Sequence, residues 1–340
     1  MAERRTLSRR TLIGAGVFGA VGIGAATVAG VTAARNASNG GGRAAALQLS
    51  WLHSAQFAGS YIALDRGYWS DAGLDVSLLQ GGPNAPVEPP VVSGQALVGV
   101  SAADFTAAAV AEGAPFKIIG VAMQNNPFVI ASLPDNPVNE PGDLEGKRIG
   151  MALANTPTLE ALCTLNGVDI DAIDIVPTQY AAQPLTSGEV DCLLCWETDL
   201  PVAMEIQGVE SITMLMADYG YALHSQTYIA TEDSLANRRD DVVALMAGEV
   251  RGWEDYRLDT DAAAALSVDM FPDAGLDLET QQLQAARQVP LMFSPLTDEL
   301  GFGFWNEETV AQNIETLALL GQTVTPELWD SSILEQVHGA

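Results

Sequence analysis

From Leu47 onward the apolar and polar positions fall into short runs that read alternately as strand and helix. LQLSW (47–51) predicts a strand, and FAGSYIALDRGYW (57–69) has helical spacing, with Phe57, Tyr61 and Leu64 on one face and Gly67 as its stop. LDVSLL (74–79) predicts a second strand, closed by Gly81, Gly82 and Pro83, and VEPPVVSGQ (87–95) a short helix. ALVGVS (96–101) is a third strand, ADFTAAAVAEG (103–113) an Ala-rich helix and FKIIGVAM (116–123) a fourth strand. Such alternation implies a parallel sheet with helices on both faces.

FVIASL (128–133) and the Pro-rich stretch after it predict a crossing into a second lobe, which opens with GDLEGKRIGMA (142–152). A helix over 158–166 and strands over 173–177 and 190–196 follow, and the chain continues through ITMLMA (212–217) to the strand QTYIATE (226–232), which crosses back. Residues 233–340 read as largely helical and complete the first lobe. The expected fold is therefore α/β and two-lobed, with residues 46–131 and 229–340 in lobe 1 and 132–228 in lobe 2. Each lobe is expected to hold a mostly parallel sheet flanked by helices, with a two-strand hinge between them. A ligand would bind in the cleft, at the carboxyl ends of the strands.

The beginning of the chain has a different pattern. Arg4, Arg5, Ser8, Arg9 and Arg10 precede Leu12 and Ile13, and the run from Thr11 to Ala34 carries no charge. A basic segment followed by a mild, Gly- and Ala-rich apolar run resembles a twin-arginine export signal over residues 1–34. Val31, Thr32 and Ala33 offer a small-residue cleavage site before Ala34, and an uncleaved leader would instead serve as an anchor. No Cys precedes Cys163, so a lipid-anchoring N-terminal cysteine is not expected. Residues 35–45 read as a flexible linker. The expected location is outside the cytoplasm, in the periplasm or at the outer face of the membrane.

Charge and cysteine content narrow the function. The formal net charge is −28, with only two lysines, Lys117 and Lys147, against 43 acids. Loss of the leader would remove four Arg and one Glu and make the rest more acidic. Such a surface repels phosphate backbones and anionic lipid, which excludes nucleic acid as an expected partner and confines membrane contact to the leader or a membrane partner. Cys192 and Cys195 lie in the strand VDCLLCW, where alternate pointing puts them on opposite faces as packing residues. With no second cysteine pair and no His cluster, neither a zinc site nor a redox pair is expected, and no cofactor.

The stretch WLHSAQFAGSYIALDRGYWSDAGLDVSLLQGG (51–82) is close in order and spacing to the opening of exported solute-binding proteins of ABC importers. QALVGVSAADFTAAAVAEGAPFKIIGVAMQNNPFVIAS (95–132), PGDLEGKRIGMA (141–152), LCTLNGVDIDAIDIVP (162–177) and GEVDCLLCWETDLPV (188–202) continue the resemblance. Together they cover most of residues 47–320. The chain resembles the branch that binds thiamine pyrimidine precursors, within the group whose other members take nitrate, sulfonates, taurine or flavins. That resemblance implies a type II periplasmic-binding-protein fold, closure on a small molecule, and delivery to an ABC permease with its ATPase.

Candidate ligand residues follow from strand ends and side-chain chemistry. Trp51 offers an indole for stacking, His53 a ring nitrogen, Gln56 an amide with donor and acceptor, and Tyr61 a face toward either core or cleft. Asn155, Thr156 and Thr158 precede or open a helix, where hydroxyls and free N–H groups grip polar atoms or simply cap. Trp196 and Glu197 follow the strand VDCLLC. The resemblance implies that Glu197 accepts hydrogen bonds from a ligand amino group and ring nitrogen, which favours an amino-bearing heterocycle over an anion. The turn ALANTP, without Gly, departs from the phosphate-binding type of the relatives, and Arg66 and Arg148 suit surface or inter-lobe roles.

Two other classes share this fold. Fungal thiamine pyrimidine synthases use a Lys, a His and iron, but here Lys117 falls in a predicted strand, Lys147 in a turn, and His53, His224 and His338 are scattered, so no enzyme is expected. An exported sensor that reports its ligand to a membrane receptor has the same sequence signature.

Overall fold

The computed structural model describes residues 42–82 and 85–339. The leader, its cleavage site and linker residues 35–41 lie outside the described residues. Among the described residues ten strands form two five-stranded sheets, both within one compact unit. The strands are β1 (Arg43–Gln48), β2 (Leu74–Leu79), β3 (Val98–Ala102), β4 (Phe116–Met123) and β5 (Phe128–Ser132), then β6 (Arg148–Met151), β7 (Asp174–Pro177), β8 (Cys192–Trp196), β9 (Ile212–Leu215) and β10 (Ser225–Thr231). The first sheet has the order β2-β1-β3-β10-β4 and the second β7-β6-β8-β5-β9.

The sheets are mixed rather than mostly parallel. β1 pairs in parallel with β2 and β3, and β6 with β7 and β8. β10 runs antiparallel between β3 and β4, and β5 antiparallel between β8 and β9. Each sheet thus receives, one place from its edge, the strand that follows a crossing between halves. An apolar run announces a buried strand but not its partner, which is why the expected lobe boundaries shift. β5 belongs wholly to the second sheet and β10 wholly to the first, so the crossings fall between β4 and β5 and between β9 and β10.

Local boundaries follow ordinary chemistry. β1 begins at Arg43 and ends at Gln48, earlier than its pattern predicts, because all six residues pair in register with β2; residues 43–45 are strand, not linker. β2 shows the alternation that predicted it, with Leu74, Val76 and Leu78 buried and Asp75 and Ser77 exposed. The predicted helix over 57–69 breaks in two at Gly67, whose φ of 74° lies in the left-handed region that glycine adopts without a Cβ penalty.

Among the described residues seven α-helices follow β10, and they do more than complete the first half. Helix Arg239–Leu258 packs on Ala58–Asp65 over one apolar core, which holds Leu47, Val98, Tyr61 and Trp253. The approach is close enough that a Cβ on Gly252 would overlap the carbonyl oxygen of Gly59, and one on Gly59 would overlap the Trp253 ring. Helix Leu278–Met292 instead reaches helix Leu200–Ile206 of the second half, and Glu307–Leu319 touches Thr156–Asn166. A second core, with Ile118 and Val121 from the first sheet and Ile149 and Leu194 from the second, runs across the junction.

Cys163, Cys192 and Cys195 are all buried and free. Cys192 packs in the core shared by both sheets and Cys195 in a smaller core on the other face, as strand alternation requires. Burial pushes the Cys192 thiol up to about 12 and Cys163 up to about 11, which makes both inert at neutral pH. Among the described residues no helix is long and apolar enough to cross a membrane.

Candidate functional site

A cleft of about 300 Å³ opens where three segments converge: the loop after β1 (Trp51–Ser54 and Gln56), the turn after β8 (Thr198–Leu200), and Thr280, Gln281 and Gln284 of helix Leu278–Met292. Two of these follow the carboxyl ends of parallel strands, where backbone polar groups face the crevice. The Gln48 amide holds the first loop by donating to the carbonyls of Leu49, Leu79 and Gln80. Ser54 Oγ accepts from Gln56 N–H at 3.3 Å, and Ala55 N–H donates to Gln281 Oε1 at 2.6 Å. The loop is thereby stitched to a helix more than 200 residues away in sequence.

Three of the expected residues line this cleft. Trp51 is 46% exposed, so its indole face is free to stack, whereas Gln56 and His53 are nearly covered. The His53 ring stacks on Phe271 with centroids 3.6 Å apart and 10° between planes, and its Nδ1 lies 3.1 Å from the Tyr61 hydroxyl. Desolvation lowers its pKa to about 4, so at neutral pH it presents a neutral ring. Tyr61 is fully buried, tilted against Phe271, and packs beneath the cleft; of the two faces open to it, the core one is occupied.

The remaining expected residues lie outside the lining. Thr156 Oγ1 donates to Leu153 O at 2.8 Å, Thr158 Oγ1 accepts from the Tyr221 hydroxyl at 3.4 Å, and Asn155 stands at the start of helix Thr156–Asn166. Trp196 packs edge-on against Phe128. Glu197 is engaged from the opposite side of the junction: Arg287 Nη1 donates to its Oε1 at 2.6 Å, while Arg287 Nη2 reaches Glu205 Oε2 at 2.5 Å. Glu197 Oε2 stays buried without a partner.

This forked pair joins helix Leu278–Met292 to the second half. Replacing Arg287 by alanine is expected to weaken this contact between the halves by roughly 1–2 kcal/mol, since the Glu197 arm is mostly covered and the Glu205 arm half exposed. Solution scattering of the ligand-free variant should then give a larger radius of gyration than wild type. A superimposable curve would show that the fork does not hold the halves together.

The carboxyl that lines the cleft is Asp199, two residues beyond Glu197. Its Oδ2 accepts from the Tyr180 hydroxyl at 2.9 Å, and that hydroxyl accepts from Trp196 N–H at 3.2 Å. Burial raises the pKa of Asp199, partly offset by the tyrosine hydrogen bond. Gln281 and Gln284 had a readable signal in TQQLQAARQ, where buried amides at 281, 284 and 288 share one helical face. No cation appears among the described lining residues. Arg148 is spent on Asp191 and the carbonyls of Gly188 and Glu189, and Arg66 on Asp255.

Two mixed sheets joined by two crossings, with a cleft between them at the strand ends, are the arrangement of the periplasmic-binding-protein fold. Residues 54–263 match the NMT1/THI5-like family, and the chain belongs to that family. It is 24% identical over 289 residues to a riboflavin-binding protein, RibY, of Chloroflexus aurantiacus, covering 82% of each chain. A shorter match, 31% over 134 residues and 38% of each chain, is to the 4-amino-5-hydroxymethyl-2-methylpyrimidine phosphate synthase of Schizosaccharomyces pombe. The periplasmic aliphatic sulphonate binding protein SsuA of Escherichia coli shares the fold, with a TM-score of 0.63 and 16% identity over 82% of this chain and 92% of that one.

Proposed function

We propose that this chain is an extracytoplasmic solute-binding protein that closes its halves on a small planar nitrogen heterocycle and delivers it to an ABC permease and its ATPase. The reading rests chiefly on the composition of the cleft: an exposed indole, the amides of Gln56, Gln281 and Gln284, and the carboxyl of Asp199, with no cation among the described lining residues. Amides and a carboxyl match the donor and acceptor edges of a pyrimidine, and indole matches its face. A sulfonate or nitrate would leave its charge uncompensated in such a site. A thiamine pyrimidine precursor is the ligand we favour. Riboflavin is the second reading, favoured by the similarity to the riboflavin-binding relative along most of both chains.

Export by the twin-arginine leader is part of this proposal. An enzymatic role is disfavoured by the lysines: Lys117, the second residue of β4, donates to Glu327 O at 2.7 Å, while Lys147 bonds Asn136, so both are engaged away from the cleft lining. The test is calorimetric titration with an aminopyrimidine, riboflavin and taurine. Trp51→Ala is expected to weaken the heterocycle that binds by roughly tenfold, the value of a lost stacking contact. Binding of taurine alone, or full affinity in the variant, would overturn the reading.

A further inference from the structure

Among the described residues one non-glycine, Gln226, has a positive φ, of 47°. It stands just inside β10, where the register against β3 slips: Ser225 pairs with Ala102 and Thr227 with Ser101, so two steps along β10 match one along β3. Gln226 is the extra residue of this bulge. On its other side Ser225 pairs with Met123, the last residue of β4. Gln226 therefore sits at the carboxyl edge of the first sheet, directly after the chain returns from the second half. The Asn126 amide, in the outgoing crossing, donates to Leu223 O and Ser225 Oγ in the returning one.

The side chain here is only 2% exposed, and its Nε2 has no hydrogen-bond partner. Two costs therefore meet at one residue. A left-handed backbone disfavours a side chain with a Cβ, and a buried amide donor without a partner forfeits its hydration. Glycine would adopt the same bulge without either cost, so the fold alone does not call for glutamine. Bulges re-aim side chains next to binding sites, and strained residues with unspent polar groups persist where a ligand completes them.

We propose that Gln226, at the carboxyl edge of the first sheet from which the loop after β1 also leaves, is a ligand-binding residue whose Nε2 amide donates to a carbonyl oxygen or ring nitrogen of the bound heterocycle. The inference rests on the reading that the cleft takes such a heterocycle. It adds a donor on the first sheet to the amides contributed by the loop after β1 and by helix Leu278–Met292. It also implies that this glutamine is retained for binding against the interest of stability.

The full chain and its Gln226→Gly and Gln226→Met variants are to be titrated with riboflavin and with 4-amino-5-hydroxymethyl-2-methylpyrimidine, and their ligand-free thermal midpoints measured. Gln226→Gly relieves the backbone and removes the amide; its midpoint should equal or exceed that of wild type while its affinity falls about three- to tenfold. Gln226→Met keeps the length and the backbone conformation without the donor, and should lose affinity similarly even if the glycine variant folds poorly. Wild-type affinity in the folded variants overturns the role of Gln226 and leaves the heterocycle reading standing. A wild-type chain that binds neither probe overturns both.

Discussion

Replacing Gly252 by alanine is expected to destabilise the protein by about 3 kcal/mol, at the upper end of the range for overpacking. The new Cβ would overlap the Gly59 carbonyl oxygen. A flexible side chain in that position would swing aside, but a backbone carbonyl inside a helix has no alternative place. Helix Arg239–Leu258 would have to retreat from Ala58–Asp65, opening contacts along a core that contains Trp253 and Tyr61. The higher helix propensity of alanine offsets only about 1 kcal/mol of this. A fall of several degrees in the thermal midpoint is the readout, with Gly142→Ala, which meets nothing within 4 Å, as a near-neutral control. Ligand affinity should suffer as well, because Ala58–Asp65 continues directly from the loop that carries Trp51 and Gln56. An unaltered midpoint would mean that the two helices are not held at this distance.

The second large effect concerns pH. Glu249, one turn before Trp253, is fully buried. Its Oε2 accepts from the hydroxyls of Ser60 at 3.0 Å and Tyr228 at 2.6 Å and from the Trp253 indole at 3.2 Å, whereas Oε1 has no partner. Desolvation outweighs these bonds and raises its pKa from 4.5 to about 7. The folded protein thus keeps a proton that the unfolded chain has released, and stability falls as pH rises from about 4.5 through 7. A glutamine in its place cannot ionise. Between about pH 4.5 and about pH 8 the stability of Glu249→Gln relative to wild type should therefore rise by roughly 3 kcal/mol. The comparison cancels the opposite trend from His53 and His224, whose pKa values burial lowers to about 4 and 3, so that stability is lost below the unfolded value of 6.5. Parallel pH profiles from denaturant unfolding would show that Glu249 is charged in the native state throughout.

Much of the architecture was legible because it is local. β2 and β4 appear with the predicted bounds, since alternation in one and a nearly continuous apolar run in the other need no distant information. Sheet membership was not legible: β5 and β10 look like any buried strand, and only pairing over long sequence separations assigns them. The cleft divides in the same way. Trp51, His53 and Gln56 were found because they follow a strand end, but Tyr61 lies on the core face of its helix. Gln281 and Gln284 were passed over because a glutamine-rich helix face reads as solvated until something covers it. Glu197 was read alone, and its Arg287 partner is 90 residues further on.

The placement of β10 also orders events on a growing chain. All five strands of the second sheet lie between Phe128 and Leu215, so that sheet has its full complement before Ser225 is synthesised. The first sheet does not, because β3 and β4 are not neighbours and each needs β10 beside it. Until Thr231 has emerged, two apolar strand edges wait unpaired, and the half of the protein that is made first is the half that finishes last. That interval is when the nascent chain is most exposed to mispairing and aggregation.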